Sequence, residues 1–351
     1  AGNGGFLDHV AFGNRGADAG HQPAPHVKIF SPVSIAQGVS RARSFAGAIL
    51  HMSFNATAFD ATQTGVRRIA DFLELAKPRV VFMVLITAFV GFYVGSDVVP
   101  NYLRLLQMLI GTALAAGGTL ALNQFLERDT DAMMTRTRHR PLPDGRVQPG
   151  EAFWFGLLVT FAGLSYLALA VNFISAWVTA LITTSYLLLY TPMKRRSSLC
   201  MLIGAVPGAL PPVIGWVAAR GSLGVNAWVL FAIMFLWQVP HTLAIARLYR
   251  EDYAKAGIQF LPVIDPEGGS ANRQIVSHCA GLLAVSLLPT LLGLAGPIYF
   301  TAAFLLGIGL LVSGLRLAIE STLSRARRLL FASLIYLPVL LLVMALDRIP
   351  L

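Results

Sequence analysis

Nine apolar stretches, each close to twenty residues, succeed one another between residues 80 and 346, separated by short polar connections. About 20 residues at 1.5 Å each cross the roughly 30 Å hydrocarbon layer of a bilayer, so each stretch predicts a membrane-spanning helix. The predicted spans are Val80–Val98, Leu105–Leu126, Phe153–Val171, Ile174–Tyr190, Leu199–Ala218, Ala227–Ala246, Val276–Ala295, Ile298–Leu315 and Leu329–Leu346. The connections at Asn172–Phe173 and Gly296–Pro297 are very short and predict tight helical hairpins. Those after spans two and six are long and carry most of the acids. The fold expected is an all-α, polytopic membrane protein.

Residues 1–68 break this pattern. They are rich in Gly, Ala, Ser, Asn and His, have no apolar run of spanning length, and contain no methionine before Met52. They are expected to form a poorly structured extension preceding a membrane domain over 69–351. Residues 1–51 are expected to be dispensable, either mobile, cleaved or foreign to the native protein. Arg41 and Arg43 ahead of "SFAGAIL" make a poor transit peptide.

Charge orients the bundle. Lys and Arg number twenty on the connections preceding spans one, three, five, seven and nine, against three (Arg104, Arg220, Arg348) on the other side. Positive residues accumulate on the cytoplasmic side, so the N-terminus is expected inside and the C-terminus outside. This asymmetry accounts for the net charge of +10 and excludes nucleic acid as its reason. Composition agrees with a membrane protein: 56% of residues are hydrophobic and 13% charged, where soluble domains carry about 25% charged residues. Cys200 and Cys279 lie in apolar segments and read as small core residues.

The densest charge closes span two, in "NQFLERDTDAMMTRTRHRP". Asn123, Glu127 and Asp131 recur every four residues and share one helical face, while Asp129 points elsewhere. An amide oxygen and two carboxylates are hard ligands for Mg²⁺, which takes one or two carboxylates and completes its shell with water and substrate phosphates. Arg136, Arg138 and Arg140 follow, suited to bidentate grip on phosphate oxygens. Acids for a metal followed by arginines for phosphate make a candidate diphosphate site. A charged helix end is also an ordinary topology signal. Asn123 and Glu127 weigh against that reading, because a carboxylate near an apolar span is expensive without a partner.

Two further segments add chemistry. "YTPMKRRS" ends span four and brings Lys194 and Arg195 to the side of Asp131. Span six contains "WQVPH", with Trp237 and His241 beside Pro240, which removes one hydrogen bond from the helical ladder. An intramembrane histidine is a functional candidate, or else the partner of the carbonyl that the proline frees. Pro207, Pro211 and Pro212 in span five predict a broken helix lining a cavity.

Over roughly residues 72–346 the chain resembles the protoheme IX farnesyltransferases (haem O synthases) of the intramembrane aromatic prenyltransferase superfamily. The resemblance rests on "LAKPR" before span one, "NQFLERDTDAMMTRTRHRPL", "YTPMKR", "GAVPGALPPVIGW", and "WQVPH" with "REDYAKAGIQFLPV" around span six. It implies nine helices around a central cavity open toward the cytoplasmic leaflet. It also implies transfer of a farnesyl group from farnesyl diphosphate to a vinyl of haem b, with addition of water, and Mg²⁺ as cofactor. Carried over by position, Asn123, Glu127 and Asp131 hold the metal, and Lys77 and Arg79 join Arg136, Arg138, Arg140, Lys194 and Arg195 at the diphosphate. Trp237 and His241 fall to the haem. The superfamily's second acidic motif is incomplete: Leu248 stands four residues before Asp252, and Glu251 and Asp252 take its place. Because residues 1–68 make a poor transit peptide, a bacterial inner membrane is expected rather than a mitochondrial one; the resemblance further implies downstream partners in a haem A synthase and a terminal oxidase. Rival readings are a prenyltransferase of the 4-hydroxybenzoate type and a transporter.

Overall fold

The computed structural model describes Gly65 and residues 67–350. The expectations for residues 1–51 lie outside the described residues. Among the described residues there are no strands beyond one isolated bridge between Ala295 and Arg348, and nine helices are long and apolar enough to cross a membrane. They are α1 (Pro78–Gly95), α2 (Tyr102–Ala132), α3 (Pro149–Ala170), α4 (Phe173–Met193), α5 (Cys200–Arg220), α6 (Val225–Leu248), α7 (Gly269–Leu291), α8 (Pro297–Ile319) and α9 (Leu323–Leu346).

Local chemistry fixes where these helices begin. Prolines open α1, α3 and α8, at first-turn positions where the missing N–H costs nothing. Asn101 and Asn172 cap α2 and α4 through their side chains, and Gln148 with Glu151 closes a capping box on α3. Helix α7 begins seven residues before the predicted Val276. Its first turns, "GSANRQ", are too polar for a hydropathy reading, yet Asp265 accepts hydrogen bonds from the Gly268 and Ser270 N–H groups and secures the start. Helix α2 extends six residues beyond the predicted Leu126, carrying its acids on a continuous helix to Ala132.

Two irregularities shape the interior. Helix α5 breaks at Leu210, where Pro211 and Pro212 begin a second helical segment. Helix α4 widens into a π turn over Ser185–Tyr190, with the Thr191 N–H reaching back five residues to the Tyr186 carbonyl.

Packing is close. Helix α1 lies along the second half of α5 because Gly91 and Gly215 remove side chains from the contact: a Cβ at Gly215 would sit 1.9 Å from the Ala88 carbonyl oxygen, and one at Gly91 2.0 Å from that of Pro212. Small residues serve this role in bilayers, where association relies on van der Waals contact rather than on expulsion of water. Phe92, Ile214, Ile233, Leu243, Tyr299 and Tyr336 are fully buried in the main apolar cluster, whereas outward-facing Phe82, Phe161, Leu169 and Leu305 are exposed to the surroundings as lipid-facing residues are.

Candidate active site

A cavity of about 470 Å³ lies within the bundle, walled by α1, α2, α4, α5 and α6. Its charged end is built from the face of α2 that carries Asn123, Glu127 and Asp131, all three of which line it. Each meets a cation from another part of the chain. Lys77 Nζ donates to Asn123 Oδ1 at 3.3 Å, Lys194 Nζ to Glu127 Oε1 at 2.6 Å, and Arg140 Nη1 to Asp131 Oδ2 at 2.6 Å. Three oxygens one turn apart are thus answered by three cations.

These contacts are sheltered. The Asp131 side chain is 3% exposed, and Glu127 and Lys194 are 14% and 13% exposed. Removing such charges from water is costly, and partners at hydrogen-bond distance are what permit it. The Asn123 amide also donates to Thr191 Oγ1 at 3.1 Å, which orients its oxygen toward Lys77. Lys77 precedes Pro78 in a left-handed backbone conformation, φ 50°, unusual for a side chain with a Cβ. Burial first, and the Arg140 charge second, push its pKa down to about 8. Burial also disfavours the Lys194 charge, but Tyr190 and Glu127 beside it hold its pKa above the ordinary lysine value.

The arrangement fits a magnesium ion carrying a diphosphate. Among the described residues, the second carboxylate oxygens, Glu127 Oε2 and Asp131 Oδ1, accept no hydrogen bond from protein, and they sit with the Asn123 oxygen on one helical face. No group of three or more His, Cys, Asp or Glu is gathered for a metal among the described residues.

The remaining cations divide. Arg136 lines the cavity, donating to Tyr253 Oη at 3.3 Å and lying over the rings of Tyr249 and Tyr253. Arg79, Arg138 and Arg195 are exposed and stand outside the cavity lining. Asp129 faces solvent beside Arg128.

The sequence reading missed several residues. Tyr186 and Tyr190 come from the π turn, 5.3 Å apart between ring centres. Tyr190 receives the Lys194 ammonium over its face at 4.4 Å. Both rings line the cavity just inside the charged end, where an electron-rich face can stabilise a developing cation. Tyr253 and Gln238 also line it. The i, i+4 spacing of Tyr190 and Lys194 in "YTPMK" was a usable signal for the first pair. Tyr253 lies in the "REDYAKAGIQFLPV" motif, but no spacing tied it to this cavity, since it arrives from the connection after α6.

Trp237 and His241 lie on another face of α6 and do not line this cavity. Their rings stack at 4.6 Å. Both are anchored to α9: Trp237 Nε1 donates to the Ser333 carbonyl at 2.8 Å, and His241 Nδ1 is 2.8 Å from Ser333 Oγ. The histidine therefore does not partner the carbonyl freed by Pro240. Glu251 and Asp252 line a second, separate cavity with Arg247 and Arg250, so they do not face the α2 acids across the first.

Comparison with known proteins bears on family and fold. The model of the UbiA prenyltransferase family matches residues 84–335. A protoheme IX farnesyltransferase from Solibacter usitatus (strain Ellin6076) is 50% identical over 287 residues, covering 79% of this chain and 98% of that one. One from Aquifex aeolicus (strain VF5) is 39% identical over 292 residues, covering 83% and 99%. Among solved structures, a digeranylgeranylglyceryl phosphate synthase superposes with a TM-score of 0.70 at 18% identity, over 80% of this chain and 98% of that one. A UbiA homologue from Archaeoglobus fulgidus bound to GPP and Mg²⁺ does so with a TM-score of 0.56 at 17% identity, over 78% and 99%. At those identities the structures attest the fold alone; with the family match and the farnesyltransferase relatives, the chain belongs to the UbiA prenyltransferase family.

Proposed function

We propose that this protein transfers the farnesyl group of farnesyl diphosphate to a vinyl group of haem b, with water adding to give the hydroxyethylfarnesyl haem, haem O, and diphosphate. The observation that carries the reading is the polarity of the cavity. One end gathers carboxylates and cations, and the rest is a long apolar pocket, as an allylic diphosphate requires. Relatives 50% and 44% identical over 79% of this chain, which carry the name protoheme IX farnesyltransferase, support haem as the acceptor.

Asn123, Glu127 and Asp131 would hold magnesium, which when bound neutralises charge on the departing diphosphate. A homologue of the same fold from Archaeoglobus fulgidus bound to GPP and Mg²⁺ supports a metal-dependent reaction. Lys77, Arg136, Arg140 and Lys194 take the phosphate oxygens, so charge developing on the leaving group meets preorganised donors. Arg79, Arg138 and Arg195, exposed at the same end, attract the anion from solution. Tyr186 and Tyr190 present their faces to the allylic cation, and the apolar wall keeps water from it until the vinyl attacks. Trp237 and His241 orient the haem. His241 Nε2, the ring nitrogen not paired with Ser333, is the one that would meet the iron. Glu251 and Asp252 serve a second ion or the rim of the second cavity.

The charge asymmetry supports a mouth that faces the cytoplasm of a bacterial inner membrane, with the product passing to a haem A synthase and a terminal oxidase. The test is an assay on membranes supplied with haem b, farnesyl diphosphate and Mg²⁺. The expected product is a haem heavier by a farnesyl group and a hydroxyl, with diphosphate released in equal amount. Absence of that haem from active membranes, or its formation in EDTA, refutes the reading.

A further inference from the structure

Resting on that reading, the cavity also carries a measure of prenyl length. Its lining along α2 runs through Asp131, Glu127, Asn123, Leu120, Ala116 and Thr112, at intervals of three or four residues, and stops there. The next residue on the same face, Met108, is fully buried and does not line the cavity. Thr112 Oγ1 rests 3.7 Å from the Met108 sulfur, closing the floor. Thr179 from α4 and Ile214 from α5 line the same deep end, 4% and 1% exposed.

The depth follows from helix geometry. A diphosphate gripped at the level of Glu127 and Lys194 leaves its first carbon near the level of Asn123. From Asn123 to Thr112 is eleven residues, or about 16 Å at 1.5 Å rise per residue. An extended prenyl chain advances roughly 1.25 Å per carbon–carbon bond, so the main chain of a C15 group spans about 14 Å, that of C10 about 9 Å and that of C20 about 19 Å. The C15 chain ends just above the floor, the C10 chain leaves a void of more than a turn of helix, and the C20 chain runs into Met108.

We propose that Ala116, Thr112 and Met108 form the specificity-determining floor that selects a fifteen-carbon prenyl donor. Ala116 is the narrowest residue on that face, and its missing side chain is the room the second and third isoprene units occupy. The hydroxyls in this apolar stretch are turned away from the tail. Thr119 Oγ1 donates to the Ala115 carbonyl and pairs with Thr183, and Thr179 donates to the Ser175 carbonyl. Their methyl groups remain to face the chain.

The experiment compares C10, C15 and C20 diphosphates as donors to haem b, by product mass and kcat/KM, in the full chain and its variants. Ala116→Leu raises the floor by about one turn and is expected to raise the C10/C15 ratio of kcat/KM at least tenfold. Met108→Ala lowers it and is expected to admit C20 diphosphate. The two variants move the preference in opposite directions, which a general loss of folding cannot do; Ala116→Val replaces Ala116→Leu if the larger residue lowers the melting temperature. Equal loss of all three donors in a folded Ala116→Leu protein, with unchanged preference in Met108→Ala, overturns the proposal. Wild-type protein that transfers no prenyl group to haem from any donor instead overturns the function on which it rests.

Discussion

Replacing Lys194 by methionine isolates what the ring of cations does for the acids before substrate arrives. In the free protein the Lys194 ammonium lies 2.6 Å from Glu127, with both side chains about seven-eighths buried. Removing one partner of a buried pair leaves the other uncompensated, at a cost of about 3 kcal/mol where some solvent still reaches it. For a domain of this size that lowers the melting temperature by roughly 6 °C, at about 2 °C per kcal/mol. Methionine keeps the aliphatic packing against Tyr190, so the loss is electrostatic. Magnesium alone should then restore the variant. Ion present at a hundred times its dissociation constant stabilises by about 2.7 kcal/mol, whereas in the wild type the ammonium already compensates Glu127 and repels a second cation. The assay is a thermal melt in detergent across a Mg²⁺ titration, read beside turnover. Loss of one charge-assisted contact to the diphosphate, about 1.5–3 kcal/mol, should lower kcat/KM for farnesyl diphosphate by roughly 10- to 150-fold. A variant that melts with the wild type, and responds to Mg²⁺ no more than it does, would show that the pair carries no such load.

Asp131→Ala should abolish turnover, and Glu127→Asp should retain part of it, since the charge survives and the reach shortens by one methylene; ordinary turnover of Asp131→Ala at limiting Mg²⁺ would contradict the metal assignment. His241→Ala should weaken haem binding in a spectral titration while leaving farnesyl diphosphate affinity intact, whereas unchanged haem affinity with a lower melting temperature would leave the histidine as a strut to Ser333. Gly215→Ala should prevent close packing of α1 on α5 and cost more than about 3 kcal/mol, because the clash is with backbone rather than a movable side chain; a normal melting temperature would refute it. Truncation of residues 1–51 should leave membrane insertion and turnover intact, which expression of residues 52–351 and the haem assay would check.

The membrane helices were legible because a bilayer imposes one length and one polarity on every span. Where that rule is relaxed the reading slipped, as at the polar first turns of α7. The α2 acids were legible because one helix carries them at a fixed interval. Their partners were not: Lys194 and Glu127 stand 67 residues apart and meet only through the packing of α2 beside α4. Tyr253 reaches Arg136 across 117 residues. Trp237 and His241 were visible as unusual intramembrane residues, but the face they occupy depends on how α6 rotates between α5 and α9. No spacing within a single helix states that rotation.

The π turn of α4 bears on how much change this chain can absorb. Such a turn holds one residue more than an α-helical turn spanning the same rise. Deleting Leu188 should therefore let the segment close into ordinary α-helix while Thr183 above it and Lys194 below it keep their positions. Only the aim of the two tyrosines would change. Descendants of this sequence that differ by a single residue in length at Ser185–Tyr190 would then share one scaffold and one diphosphate grip, yet offer a different surface to the cation.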